Sequence, residues 1–153
     1  AFIIRLSELI RYSLYENKGE KFFLEKEIDF LKNYIEIQQM RLDKNAEITF
    51  DYSNTDVNLM IEPMLLFPFV ENAFKHGVSY RDDVKIEIII KTVGSALYFE
   101  VTNPLIQETQ SDKAGGIGII NVEKRLNLLY PNRHNLEIDK SNGIFSVKLR
   151  IDL

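Results

Sequence analysis

The feature that most constrains the fold is a period-two alternation of apolar and polar residues in the second half of the chain. Every second residue is apolar in residues 84–91 and again in residues 97–101. This period is typical of half-buried β-strands, and the intervening V-G-S predicts a hairpin. The stretches Leu136–Lys140 and Phe145–Ile151, joined across S-N-G, predict a second hairpin. A further strand is expected from Ile48, in I-T-F-D-Y.

The first part of the chain follows a helical period instead. Apolar residues recur at helical spacing in Leu24–Leu42, and this predicts a helix. A helix is also expected over Phe2–Glu16, with an apolar stripe broader than one face. Because the pattern changes after D-K-N, we assign residues 1–45 to a helical segment and residues 46–153 to a separate module.

Two more helices are expected within that module. One follows Pro63 and ends at Gly77, which we predict to be its C-terminal cap, while Pro68 should bend the helix or delay its start. The other covers about Ile119–Tyr130. The predicted fold is therefore α+β, an α/β two-layer sandwich with a mostly antiparallel mixed sheet, helices on one face, and two preceding helices.

Composition excludes several classes of function. The 153 residues include 19 basic and 23 acidic ones, a net charge of −4 that offers no electrostatic footprint for nucleic acid. Cysteine is absent, so this chain has no disulfide or thiolate site. The longest apolar run, residues 64–70, is far shorter than the roughly 20 residues of a membrane-spanning helix.

The stretch E-N-A-F-K-H-G places four polar residues on one arc of the third predicted helix: Glu71, Asn72, Lys75 and His76. The amide oxygen of Asn72 is a hard ligand suited to Mg²⁺, and Lys75 could neutralise a phosphate. Alternatively, this arc is an exposed helix face on which Glu71 and Lys75 form an ordinary ion pair.

The stretch A-G-G-I-G-I-I-N, residues 114–121, places three glycines ahead of the fourth predicted helix. Glycines let a backbone approach a ligand, and a helix start favours anions. Glycine-rich turns before helices are also common as simple loop hinges. The spacing matches neither a Walker loop nor a Rossmann fingerprint.

Taken together, the motifs resemble one family. P-M-L-L-F-P-F-V-E-N-A-F-K-H-G, followed later by G-G-I-G-I-I-N-V-E-K-R-L-N-L-L-Y-P, is similar to the GHKL or Bergerat-type ATP-binding domain of sensor histidine kinases, in the LytS-like branch. The earlier L-S-E-L-I-R-Y-S-L-Y and L-E-K-E-I-D-F-L-K-N-Y-I-E-I-Q-Q-M-R resemble that branch's helical segments. The resemblance covers nearly the whole chain, in the same order.

The resemblance implies an ATP and Mg²⁺ site centred on the third predicted helix. By analogy Asn72 is the metal ligand, Lys75 and His76 lie near the phosphates, and Glu71 and Lys75 join Asn72 as catalytic candidates. Arg125 becomes a candidate contact for the lid or the phosphates.

The resemblance also implies a mobile lid, formed by residues 104–113. Gly115, Gly116 and Gly118 correspond to the motif that closes it, with the amides near Ile119 and Asn121 over the phosphates.

Two positions depart from the family pattern. Asn103 stands near the place of an aspartate that accepts the adenine amino hydrogen bond, and an asparagine carbonyl can accept the same bond without charge. Where hydrolytic relatives place a glutamate one turn before the metal asparagine, this chain has Pro68. No general base is aimed at water from that position, so phosphoryl transfer is favoured over ATP hydrolysis.

The implied function is transfer of the γ-phosphoryl group of ATP to a histidine upstream of this chain. The family's phosphoacceptor motif is absent from the chain, so we expect nucleotide binding without autophosphorylation. The implied partners are a response regulator and, in the full-length protein, a second copy, with the chain as the cytoplasmic domain of a bacterial inner-membrane sensor. The alternatives are a degenerate ATPase fold that binds proteins and a hydrolytic GHKL ATPase.

Overall fold

The computed structural model describes residues 19–42, 46–78, 84–105 and 117–153. Their elements follow in chain order: β1 (Phe22–Phe23), α1 (Leu24–Gln39), β2 (Glu47–Asn54), β3 (Met60–Ile61), α2 (Phe67–Gly77), β4 (Lys85–Val93), β5 (Ala96–Pro104), α3 (Ile117–Leu129), β6 (His134–Ser141) and β7 (Ile144–Asp152). The helix predicted over Phe2–Glu16, most of the predicted lid, Gly115 and Gly116 lie outside the described residues.

The main sheet has five strands in the order β2-β4-β5-β7-β6. Strand β2 runs parallel to β4, and the other neighbours are antiparallel. A small separate sheet pairs β1 with β3. Both predicted hairpins are present as β4-β5 and β6-β7, so the prediction of a mostly antiparallel mixed sheet is confirmed.

The hairpin turns contain the conformations that their sequences favour. Asn142 and Gly143, in S-N-G, both have positive φ, at 53° and 73°. Two successive residues of this kind make the turn whose twist matches paired strands. Gly94, in V-G-S, also has a positive φ, of 58°.

One face of the sheet carries the core. Alternate residues of β4, β5 and β7 are buried, among them Ile88, Phe99 and Val147. These side chains pack in one cluster with buried residues of all three helices, including Leu31, Val70 and Leu126. The helices therefore cover one face, as predicted for a two-layer sandwich.

Helix α1 belongs to this core, because Leu24 and Leu31 are fully buried within it. Its first amides are tied to the turn before β3, where Leu24 N–H donates to Leu59 O over 2.7 Å. The division at residue 45 into a helical segment and a nucleotide-binding module stays a prediction. Within the part of the chain that the structure describes, no helix is long and apolar enough to cross a bilayer.

The start of α2 matches the prediction made from Pro68. The helix begins at Phe67 with the proline in its first turn, where the missing N–H is not needed. The predicted cap at Gly77 is wrong. Gly77 is the last helical residue and does not adopt positive φ, and the chain leaves the helix through an extended Val78, with φ −105°.

Candidate functional site

Helix α2 presents its two sides to different surroundings. Phe69, Val70, Ala73 and Phe74 are buried against the sheet and the other helices. The four predicted polar residues lie off this buried side: Glu71 and Lys75 are exposed, and Asn72 and His76 are partly exposed. Their side chains are thus accessible to a ligand. Lys75 and His76 lie in the last turn, where the helix dipole interacts favourably with basic groups.

Asn103, near the end of β5, is the second part of the predicted site. It is 3% exposed, and its Nδ2 donates to the carbonyl oxygen of Pro104 over 2.9 Å. Among the described residues its Oδ1 has no hydrogen-bond partner. A buried acceptor of this kind is unusual in a folded protein, because burial without a partner is unfavourable. The carbonyl of Asn103 is therefore available to a donor that is not part of the described chain.

Gly77 brings these two parts together. A Cβ atom on Gly77 would lie 2.7 Å from Cβ and 3.0 Å from Nδ2 of Asn103. The end of α2 thus approaches β5 closer than any other residue type would allow. The local pattern suggested a capping glycine, and only the tertiary contact shows that this glycine provides space for Asn103.

Arg125, on α3, lies beside the segment that leads into α2. Its Nη1 donates to Met64 O over 3.2 Å, and its Nη2 donates to Pro63 O over 3.1 Å. These contacts give the guanidinium a structural role that the sequence did not reveal. Its predicted contact with a lid or phosphate stays a prediction.

The described start of α3 contains three of the predicted phosphate-binding positions. Gly118 and Asn121 are exposed, and Ile119 is partly buried. Apart from its chain neighbours and the backbone of its own helix, no atom of the described residues lies within 4 Å of the position of a Cβ on Gly118.

Tyr34, on α1, borders α2 beside the polar arc and was missed by sequence reasoning. Its ring meets Phe67 and Phe74 edge to face, at centroid distances of 4.9 and 5.8 Å. Burial raises the pKa of Tyr34 to about 12, and the nearby carboxylate of Glu71 adds to the rise. Through these ring contacts, Tyr34 joins α1 to the side of α2 next to Glu71.

The raised pKa of Tyr34 predicts a loss of stability at alkaline pH. Below about pH 10 the phenol is protonated in both states, and the stabilisation is fully present. Between pH 10 and 12 the unfolded state ionises first, so the free energy of unfolding falls. Two pKa units correspond to about 2.7 kcal/mol, and screening of a partly exposed ring reduces this to about 1 to 2 kcal/mol.

Urea unfolding at pH 9 and pH 11.5 measures this fall. Tyr34→Phe should lose less stability over the interval than the wild type by about 1 to 2 kcal/mol. Tyr98→Phe is the control, because Tyr98 lies on the opposite face of the sheet. This variant retains Tyr34, so it should still show the loss of unfolding free energy that Tyr34 causes between pH 9 and pH 11.5. Equal losses in Tyr34→Phe and wild type would contradict the prediction.

The donor chemistry of α2 fits Mg²⁺ in one specific way. Within the described residues, no group of three or more His, Cys, Asp or Glu side chains could hold a metal. The accessible oxygens of Asn72 and Glu71 instead suit an ion that keeps waters and is shared with substrate phosphates. An ion held by these two oxygens would need further ligands from water or from a bound molecule.

Comparison with known proteins gives one family. The sequence profile described as "Histidine kinase" matches residues 1–46. The chain is 28% identical to the sensor histidine kinase YpdA of Escherichia coli strain K12 over 84% of this chain. It is 33% identical to the sensor protein kinase HptS of Staphylococcus aureus strain USA300 over 57% of this chain. The chain spans 24% of the length of YpdA and 16% of that of HptS.

Solved structures share the fold. The catalytic domain of histidine kinase ThkA matches with a TM-score of 0.61 and 15% identity, over 87% of this chain and 95% of that one. Full-length ShkA in complex with AMPPNP matches with a TM-score of 0.62 and 12% identity, over 99% of this chain and 35% of that one. ThkA in complex with the response regulator protein TrrA matches with a TM-score of 0.60 and 15% identity, over 97% of this chain and 47% of that one.

Proposed function

We propose, from its similarity to sensor histidine kinases, that this chain is the ATP-binding catalytic part of such a kinase. Its reaction is transfer of the γ-phosphoryl group of ATP to a histidine outside the chain. The comparisons support this proposal through YpdA and HptS, which are sensor kinases, and through the AMPPNP bound to ShkA.

The observation that carries the proposal is the buried carbonyl of Asn103, which has no hydrogen-bond partner within the described part of the chain. Its Nδ2 is committed to Pro104 O, which leaves Oδ1 as the group offered to a ligand. The 6-amino group of adenine is a donor and would satisfy this oxygen. Guanine presents a carbonyl oxygen at the same position, and two acceptors would then face each other. The site therefore selects adenine nucleotides.

The polar arc of α2 serves the phosphates. Asn72 would hold Mg²⁺ jointly with phosphate oxygens, and the ion supplies neutralisation of the developing charge. Lys75 and His76 would orient the phosphates from the last turn of α2, and Glu71 would hydrogen-bond to the incoming acceptor. Catalysis then depends mainly on positioning and charge neutralisation, as is general for phosphoryl transfer.

The first turn of α2 favours transfer over hydrolysis. Pro68 occupies the position one turn before Asn72, and its side chain cannot accept a proton. Water inside the site would therefore lack a base from that direction.

The partners follow from the same proposal. A response regulator would receive the phosphoryl group, in line with the complex of ThkA and TrrA. The full-length protein would act as a homodimer anchored in the inner membrane by segments outside this chain, with this part on the cytoplasmic side. The net charge of −4 argues against nucleic acid as a partner.

Calorimetry with a non-hydrolysable ATP analogue and Mg²⁺ tests the proposal. The wild-type chain should bind the ATP analogue and show no binding to the matching GTP analogue. Asn103→Ala should bind the ATP analogue about tenfold more weakly, since one hydrogen bond in a buried site contributes roughly 1.4 kcal/mol. Asn127→Ala, on the exposed side of α3, is the matched control and should bind like the wild type.

Failure of the wild-type chain to bind at millimolar nucleotide would contradict the kinase proposal. That outcome would support the alternative of a degenerate ATPase fold that binds proteins. Steady phosphate release that stops in Asn72→Ala would instead support a hydrolytic ATPase.

A further inference from the structure

Glu27, on α1, is a buried carboxylate that the proposed reaction does not use. It is fully buried, and both carboxylate oxygens accept backbone hydrogen bonds. Oε2 accepts from Met64 N–H over 2.9 Å, and Oε1 accepts from Leu66 N–H over 3.1 Å. A buried carboxylate is unfavourable unless it is well paired, so these bonds strongly favour one position of α1 relative to residues 64–66.

The segment that Glu27 holds is strained and leads directly into α2. Met64 has a φ of 61°, the left-handed region that residues other than glycine rarely adopt. Leu66 is the N-cap of α2 and makes no side-chain capping bond. The carboxylate of Glu27, from another helix, instead accepts the N–H of Leu66 itself, and its negative charge is favourable near the positive end of the dipole of α2.

Helix α3 also forms hydrogen bonds to this segment. Arg125, on α3, donates to the carbonyl oxygens of Met64 and Pro63. Residues 63–66 are therefore held between α1 and α3 by hydrogen bonds to their backbone, with both the N–H and the C=O of Met64 engaged. This double attachment fixes where α2 begins.

Helix α1 contacts α2 a second time, farther along. Glu27 and Tyr34 are seven residues apart, so they lie on the same side of α1. Tyr34 packs on Phe67 and Phe74, and its pKa responds to the carboxylate of Glu71. Thus α1 contacts both the start of α2 and the region of the polar arc.

We propose that Glu27 is a positioning residue that sets the placement of α2 and thereby couples the docking of α1 to nucleotide binding. The inference rests on the proposed function and adds a route by which α1 controls the nucleotide site. Release of Glu27 from residues 64–66 frees the start of α2 and moves Asn72 and Lys75 from their binding positions. By linkage, a bound nucleotide strengthens the docking of α1 by the same factor.

Calorimetry and hydrogen exchange on the full chain test this coupling. Glu27→Gln keeps the shape of the side chain but replaces one acceptor oxygen by a donor that faces a backbone N–H. It should bind the Mg²⁺-ATP analogue about tenfold more weakly. Glu25→Gln is the matched control, because Glu25 is exposed on the same helix, and its affinity should be unchanged.

Hydrogen exchange separates coupling from a general loss of stability. In the wild type the analogue should slow exchange of the α1 amides, and in Glu27→Gln this slowing should disappear while β4 and β5 stay protected. If Glu27→Gln does not fold, the comparison is repeated in a Met64→Gly background, where glycine accepts the positive φ without strain.

The outcomes distinguish the two proposals. A wild-type chain that does not bind the analogue would overturn the proposed function. Two other results would overturn only the coupling by Glu27. In the first, the wild-type chain and Glu27→Gln bind the analogue with equal affinity. In the second, Met64→Gly and the double variant Met64→Gly/Glu27→Gln bind it with equal affinity.

Discussion

Asn72→Ala is expected to reduce phosphoryl transfer by at least about 100-fold, the typical loss when one group that stabilises transition-state charge is removed. Asn72 lies mid-helix on α2 with its side chain accessible, next to Glu71 and one turn from His76. The variant removes the amide oxygen that we propose for Mg²⁺, and alanine is a better helix former than asparagine. The helix itself should therefore remain intact, and the loss should be one of function.

Two measurements check this result. In the first, the phosphoryl group is transferred from labelled ATP to a separately supplied segment that contains the phosphoacceptor histidine. The rate of this transfer, measured as formation of acid-labile phosphohistidine, should fall. In calorimetry, the gain in affinity for the ATP analogue that Mg²⁺ provides should disappear, while binding without the metal should change little. Asn127→Ala, exposed on α3, controls for the same substitution elsewhere and should behave like the wild type.

An unchanged dependence on Mg²⁺ in Asn72→Ala would remove this residue from the metal site. The isolated wild-type chain should form no phosphohistidine with ATP, in line with the absence of the family's acceptor motif. Labelled histidine on that chain would contradict the expectation.

Features set by local pattern were predicted correctly from the sequence. The alternation in β4 and β5 indicates which face of each strand is buried. The sequence S-N-G contains the two residues with positive φ that its turn requires. Helix α1 was predicted from Leu24 and ends at Gln39, three residues before the predicted end. The comparisons confirm the resemblance to sensor histidine kinases, which depended on several such segments in order.

Features set by contacts between distant segments could not be predicted in this way. Glu27 is an acidic residue in the first turn of α1, and its two bonds join residues 37 and 39 positions apart. Arg125 was a candidate contact for the lid or the phosphates, and two of its bonds reach carbonyls 61 and 62 positions away. Nothing in the spacing of either residue reveals a partner so remote in sequence.

Gly77→Ala is expected to destabilise the fold by about 1 to 3 kcal/mol, the usual effect of adding a carbon to a packed site. The opposite sign would follow from helix propensity alone, because alanine in a helix is favoured over glycine by about 1 kcal/mol. The steric effect should outweigh helix propensity, because the new Cβ would lie only 2.7 Å from Cβ of Asn103. That atom is attached directly to the backbone of Asn103, which pairs with Phe145 of β7, so no side-chain rotation can move it away.

Gly118→Ala is the matched control for stability, since Gly118 is also helical and a Cβ there would meet nothing within 4 Å among the described residues beyond its own helix. Thermal or urea unfolding should therefore show opposite signs for the two variants. The cost of Gly77→Ala should persist in an Asn103→Ala background, which keeps the obstructing Cβ, and shrink in an Asn103→Gly background, which removes it. Equal costs in both backgrounds would mean that the obstruction lies elsewhere. Since Asn103 must shift to admit the new carbon, Gly77→Ala should also weaken binding of the ATP analogue, which links the packing of α2 on β5 to adenine recognition.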